Sequence, residues 1–256
     1  MAINMGKLKL GIVGCGAVGG TLANYLEDIG HEVLKYDPLK GLNDSLDDCY
    51  SIFICVPVPV SEDSDQDESM LIDAVSKFSK SNKPIFIRST IVPGTIDKLR
   101  KRYQKYNIYH LPEFLTERTA DMDILSQKIH GDKNARELLE LIFGKDKVNC
   151  SFTSKELELA KYTHNCFGAL KVSYFNMIYD LCEEIGCDYE KVREVVLASR
   201  YINPNHTKIA LDGKRGYGGK CFPNNMKNFI EYLDCVHHDL WGLLFDIDSY
   251  NESIRE

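Results

Sequence analysis

Although cysteine occurs nine times in the 256 residues, no CxxC pair is present. A zinc knuckle needs closely paired ligands, and even Cys182 and Cys187 stand too far apart for one, so no metal is expected. The odd cysteine count suits a reducing compartment better than a disulfide framework. No apolar run approaches the roughly 20 residues of a membrane-spanning helix. The N-terminal stretch MAINMGKLKLGIVG lacks the architecture of a secretory leader, because its apolar segment flows straight into a glycine loop. An excess of basic charge is also missing. The formal net charge of -7 argues against a general nucleic-acid binder. Internal repeats and low-complexity tracts are absent. The expectation is a cytoplasmic protein that engages neither membrane nor nucleic acid.

What is present is an ordinary globular composition, 44% hydrophobic and 27% charged, in a chain long enough for two modest domains. The first half alternates. KLKLGIV reads as a strand, AVGGTLANYLEDIG as a helix, and HEVLKYD as a second strand ending at Asp37. SIFICVPV is apolar throughout, as a buried parallel strand should be. SEDSDQDES reads as a solvated acidic loop, LIDAVSKFSK as a helix and KPIFIRST as a further strand. NIYHLPEF and SQKIHG read as short strands or strand ends, with ARELLELIFG a helix after them. From about residue 154 helical periodicity takes over, beginning with ELELAKYTHNCFGALKVSYFNMIYDLCEEIG, some eight turns long. YEKVREVVLAS, NMKNFIEYL and DLWGLLFDIDSYNES continue the pattern around a loop rich in Asn, Pro and Gly. Alternating α/β followed by nearly all-α predicts two domains, residues 1–152 and 153–256, with the long helix as a spine.

GCGAVG carries Gly14, Gly16 and Gly19 in a GxGxxG pattern between a strand and a helix, and Asp37 closes the next strand 18 residues after Gly19. Each piece has a physical task in binding a dinucleotide. Gly14 permits the tight turn, Gly16 lets the backbone approach a pyrophosphate, and Gly19 lets helix meet strand. The helix start at Ala17 and Val18 offers unpaired amides to phosphate. Asp37 would accept from a ribose 2′-hydroxyl and repel a 2′-phosphate, which favours NAD. The fold class is therefore α/β, a Rossmann-like NAD-binding domain followed by an all-helical central domain.

Further along, STIVPGT contains Thr90 and LPEFLTER contains Glu113 and Glu117. Strand ends of an open parallel sheet face the ligand crevice, which suits Thr90 and Glu113. Glu113 after Pro112 could equally be a carboxylate satisfied by helix-terminal amides. Lys161 and Asn165 are four apart and share a helix face, close to an apolar stripe of Leu157, Ala160, Phe167 and Leu170. Lys161 is either a solvent-facing stem or a group reaching into a cleft. In GYGGKCFPNN, Cys221 follows a glycine bend, and Pro223 suits the first turn of a helix. A cysteine there feels the positive helix end and tends toward thiolate; the alternative is a small buried side chain.

The blocks taken together resemble the UDP-glucose/GDP-mannose dehydrogenase family. GCGAVG, VPVP at 56–59, STIVPGT, LPEFLTER, ELAKYTHN and GGKCFPNN stand in the family's order, and YNE at 250–252 is similar to its late VNE. The resemblance implies oxidation of a sugar C6 alcohol to the acid with two NAD, through a cysteine thiohemiacetal and thioester. It implies Cys221 as nucleophile, Lys161 against oxyanion character or moving protons, and Asn165 holding the reacting oxygen. It further implies Glu113 and Thr90 at the water. The cofactor set it implies is Gly14, Gly16, Ala17, Val18, Gly19, Asp37, Val56, Pro57, Thr90 and Glu117.

This chain departs from the family at several positions. The family's Lys-Asp after CFP is Asn224 and Asn225 here, and asparagine orients water without taking its proton. Lys220 replaces a small residue, Val58 a threonine, Leu111 an asparagine and Arg118 a glycine. Family members carry a further α/β domain beyond the spine helix, and this chain is expected to lack it. A separate chain supplying that half is one expectation. A non-catalytic or regulatory NAD-binding homologue is the alternative to a working dehydrogenase. The resemblance also implies a UDP-sugar substrate and a homodimer through the helical domain, with VSYFNMIYDL serving either that face or the core.

Overall fold

The computed structural model describes residues 6–60, 66–116 and 118–255. The acidic loop of the sequence falls largely at 61–65, outside the described residues, as does Glu117. Two compact units emerge. One comprises residues up to Pro59 together with Gln66–Lys161, and the other comprises 60–65 with Tyr162–Glu256.

The first unit is built on a six-stranded sheet. Its strands are β1 (Lys9–Val13), β2 (Glu32–Asp37), β3 (Leu42–Asn43), β4 (Ser51–Ile54), β5 (Ile85–Ile87) and β6 (Ile108–His110), in the order β3-β2-β1-β4-β5-β6. Five strands run parallel, and the two-residue edge strand β3 pairs antiparallel with β2. The chain order reverses at β1 and β4, the place where such sheets open a crevice at their carboxyl ends.

Strand side chains alternate between two buried faces. Phe53, Phe86 and Tyr109 point to one face and meet α1 (Ala17–Asp28) and α5 (Arg136–Phe143). Ile52, Ile54, Ile85, Ile87 and Ile108 point to the other, against α2 (Ser69–Ser79) and α3 (Thr95–Tyr103). Burial on both sides explains why these strands are largely apolar, with Ser51 and His110 as the buried polar exceptions. Each fully buried large side chain contributes about 1.5–3 kcal/mol. A smaller parallel pair, β7 (Ile129–Asp132) and β8 (Val148–Phe152), brackets α5, and α4 (Ala120–Ser126) precedes it.

The strand expected over SIFICVPV stops at Ile54. Pro57 and Pro59 have no N–H to give a ladder, so the chain leaves the sheet there. Helix α3 was not apparent in the sequence. Its N-cap is Gly94, which offers no capping side chain. The cap comes from afar: Glu158 accepts from Gly94 N at 2.6 Å and from Ile96 N at 2.8 Å.

The spine is α6 (Ser154–Ile185), and the division between the units falls inside it. Its expected apolar stripe is not what it buries. Leu157 is buried, but Ala160 and Phe167 are exposed, Phe167 at 64%. The buried face carries Tyr162, Cys166, Ala169 and Phe175, and with them the polar Glu158, Lys161, Asn165, Ser173 and Asn176. Burying a polar side chain is costly unless a partner satisfies it; Glu158, Lys161, Asn165 and Asn176 have partners, whereas the Ser173 hydroxyl has none among the described residues.

The second unit continues with α7 (Tyr189–Leu197), α8 (Cys221–Cys235) and α9 (Leu240–Arg255). Asp188 caps α7, accepting from Glu190 N and Lys191 N. Tyr162 of α6 stacks on Phe229 of α8 with ring centroids 4.9 Å apart. The loop between α7 and α8 is pinned by polar contacts. Tyr189 Oη donates to Thr207 O at 2.5 Å, Arg215 pairs with Asp180 at 2.6 Å, and Tyr217 N donates to Asn251 Oδ1 at 2.7 Å.

Candidate functional site

In the first unit a crevice of 380 Å³ lies at the carboxyl ends of β1, β2 and β4. Gly14, Gly16, Asp37, Val56 and Pro57, all expected from the sequence, line it together with Tyr36. Gly14 has φ +84°, and a Cβ there would sit 2.8 Å from Cys55 O. A Cβ on Gly19 would lie 2.0 Å from Gly14 O, which fixes how closely α1 can approach the turn. Gly16, by contrast, has nothing within 4 Å of that position. It caps α1, whose first residues are Ala17 and Val18, so the free amides of the helix start open toward space. Asp37 accepts from Cys15 N through Oδ2 at 2.9 Å, which ties the acid to the glycine turn and leaves Oδ1 for a ligand. An open amide face beside a carboxylate at the end of β2 fits a dinucleotide with an unmodified ribose. The sequence did not reveal the wall of this crevice, where the Lys77 ammonium lies 3.8 Å over the Tyr36 ring.

Beyond β6 the chain passes Pro112 and presents Glu113. Lys161 Nζ donates to Glu113 Oε1 at 2.8 Å and to its backbone O at 2.6 Å. Both side chains are buried, at 4% and 9% exposure, so Lys161 is a cleft residue and not a surface stem. Glu113 also accepts from Leu115 N at 2.6 Å. Burial pushes its carboxyl up, but Lys161, the Leu115 amide and the Arg88 charge outweigh burial and leave it below the usual glutamate range. Glu113 is therefore an ionised partner at neutral pH.

Arg88, the residue after β5, is 5% exposed, and its Nε has no partner among the described residues. A lone charge inside IFIRST was the signal available in the sequence. His110, at the end of β6, is fully buried, and its Nε2 lies 3.3 Å from Ser89 O. Burial drives its pKa down to about 3, so it is neutral and donates to that carbonyl at ordinary pH. Thr90 lies three residues beyond β5, and its carbonyl accepts from Gln66 Nε2 at 3.4 Å.

In the second unit Cys221 is the first residue of α8 and is exposed. Pro223 falls in the first turn, where its missing N–H costs nothing. Phe222 seats against Gly168 of α6 so closely that a Cβ there would lie 2.5 Å from Phe222 Cζ. Asn165 Nδ2 donates to Asn225 Oδ1. Asn165 Oδ1 in turn lies 2.8 Å from His164 Nδ1. Asn224 Oδ1 accepts from Val60 N at 2.9 Å. The two asparagines after CFP thus have separate partners: Asn224 holds a chain segment, and Asn225 pairs with Asn165. Among the described residues there is no cluster of metal ligands and no helix long and apolar enough to cross a membrane.

The glycine turn, the acid at the end of β2 and the parallel sheet define a dinucleotide-binding protein of the Rossmann class. Residues 39–143 match the NAD binding domain of the UDP-glucose/GDP-mannose dehydrogenase family, and residues 155–252 match its central domain. The chain belongs to that family, and NAD is its cofactor. It is 32% identical over 233 residues to a UDP-glucose 6-dehydrogenase of Rickettsia felis, covering 82% of this chain and 51% of the relative. The UDP-glucose 6-dehydrogenase YwqF of Bacillus subtilis is 28% identical over 207 residues, covering 73% of this chain and 45% of its own. The chain thus spans about half the length of these relatives. A solved UDP-glucose dehydrogenase from Pyrobaculum islandicum superposes with a TM-score of 0.84 at 22% identity, over 98% of this chain and 70% of that one. A 3-hydroxyisobutyrate dehydrogenase of Mycobacterium tuberculosis has the same fold, with a TM-score of 0.73 at 14% identity over 98% and 95% of the two chains.

Proposed function

We propose that the chain is part of an NAD-dependent nucleotide-sugar dehydrogenase that oxidises a sugar C6 alcohol, with UDP-glucose as the first substrate to test. The observation that carries this reading is the buried Lys161–Glu113 pair in the family's own blocks. Burying a charge is costly, and a desolvated cation held beside a carboxylate supports a chemical role. NAD, which the glycine turn and Asp37 would hold, would supply the hydride acceptor at each oxidation level. Cys221 Sγ adds to the aldehyde carbon and holds it as a thiohemiacetal, and later as a thioester that water cleaves to the acid and free thiol. Lys161 faces developing negative charge on the substrate oxygen, and Asn165 donates to the same oxygen. Glu113 and Thr90 orient water. Glu117 and Thr90 complete the cofactor set begun by the glycine turn. A homodimer through the helical unit, a cytoplasmic location and a separate chain contributing substrate contacts belong to the same proposal.

A second reading rests on Asn225. An amide orients water but cannot accept its proton at neutral pH, so hydrolysis is where this chain would fall short. On that reading the protein is an impaired or regulatory NAD-binding homologue.

The deciding measurement is a calorimetric titration with NAD, repeated with UDP-glucose and GDP-mannose while NADH absorbance is followed. Steady NADH formation supports the dehydrogenase. NAD heat without NADH favours the second reading, and the absence of NAD heat overturns both. In the first case Asn225→Asp is expected to raise the steady rate, since it restores a group able to take the proton of water.

A further inference from the structure

At its C-terminus α6 ends in a tight reversal. Gly186 adopts φ +73°, and Cys187 N donates across the turn to Cys182 O at 2.8 Å. This six-to-one bond around a left-handed glycine is the Schellman closure, a motif frequently accompanied by contact between the side chains of the two bonded residues. Here both are cysteines, and both are free thiols. With standard backbone dimensions, a 2.8 Å bond of this kind limits the Cα separation to about 6.7 Å. That lies within the range of roughly 4.4–6.8 Å that disulfides span.

The two thiols differ in their surroundings. Cys182 is 4% exposed and packs with Phe175 and Tyr189 in the core of the helical unit. Cys187 is exposed. Burial raises the Cys182 pKa, and the neighbouring Cys187, Glu183 and Asp188 raise it further. One thiol is thus open to reagents, and the other stands behind it.

We propose that Cys182 and Cys187 are a redox-active dithiol that closes to an intramolecular disulfide on exposure to a small disulfide such as oxidised glutathione. The Cys187 thiolate attacks one glutathione sulfur, forming a mixed disulfide and releasing one glutathione thiolate. The Cys182 thiolate then attacks Cys187 Sγ and releases the second glutathione. Two protein thiols are oxidised, one glutathione disulfide is reduced, and the two thiol protons leave with the glutathione thiols. The bond fixes the joint between α6 and α7, whose cap Asp188 is the next residue. The inference is independent of the proposed dehydrogenase activity.

The test uses peptide mass spectrometry on the whole protein. Cleavage after Lys171 and Lys191 releases residues 172–191, which contain both cysteines and no other. After treatment with oxidised glutathione, this peptide is expected to lack two hydrogens and carry no glutathione. Cys235, exposed and outside this turn, serves as the control and should carry a glutathione adduct. Cys182→Ser should leave a stable adduct on Cys187. Cys187→Ser, at an exposed position, should leave the peptide unmodified. A wild-type peptide that stays reduced while Cys235 is modified overturns the proposal. So does one that keeps glutathione on Cys187.

Discussion

Replacing Lys161 by methionine removes the cation and leaves Glu113 ionised at 9% exposure, held by the Leu115 amide and the more distant Arg88 charge. Breaking one side of a buried pair costs about 3–5 kcal/mol, because the remaining charge has lost its compensation. At about 2–4 °C per kcal/mol for a chain of this size, Tm should fall by about 6–20 °C. Glu113→Gln should cost a similar amount, since it leaves the Lys161 ammonium buried without its counter-charge. The double change Lys161→Met with Glu113→Leu should recover most of the loss, because no orphaned charge remains. Because the folded Glu113 pKa is depressed, the pair's contribution is present above the ordinary glutamate value of 4.5 and is lost as pH falls through the folded value. The gap between wild type and Lys161→Met should therefore close in acid. Urea unfolding reads all of this. Far-UV circular dichroism follows both units, while fluorescence of Trp241, the only tryptophan, reports the helical one. If Lys161→Met unfolds within about 1 kcal/mol of wild type, or if the double change loses as much as the two singles together, the account of a tightly coupled buried pair is wrong.

Three other outcomes follow from the geometry. Burial pushes the Glu158 carboxyl up to about 7 despite the two amides it accepts, so the folded chain holds a proton there that the unfolded chain releases above about 4.5. That contribution, on the order of 3 kcal/mol, is complete below 4.5 and lost as pH rises through 7. Subtracting the pH–stability curve of Glu158→Gln from that of wild type should show this fall, and a flat difference would refute it. Gly19→Ala places a Cβ 2.0 Å from Gly14 O, so the turn must open and the calorimetric heat of NAD binding should vanish; full binding would contradict the packing described. Gly168→Ala pushes against Phe222 at 2.5 Å and should cost about 1–3 kcal/mol by Trp241 fluorescence, whereas no loss would mean the ring moves freely.

Much of the fold and of the candidate site was already legible in the sequence. Gly14, Gly16, Gly19 and Asp37 announced a dinucleotide crevice because each answers a local demand of one strand-turn-helix-strand unit, and local demands are written in contiguous residues. The strands were legible for the same reason: a sheet buried on both faces needs mostly apolar residues, and SIFI and PIFI provide them. Cys221 at a helix start with Pro223 behind it was equally a local pattern. Only the tertiary structure decided how α6 is rotated. Its apolar residues suggested that Phe167 belongs inside, but partners on other elements reverse this. Glu158 goes inward because the amides of Gly94 and Ile96 need an acceptor, and Lys161 goes inward because Glu113 meets it. For Glu158 and Lys161 the satisfying groups lie 48 to 64 residues away along the chain. Periodicity within one segment cannot carry that information, so the sequence offered candidate residues and the folded chain chose which groups they meet.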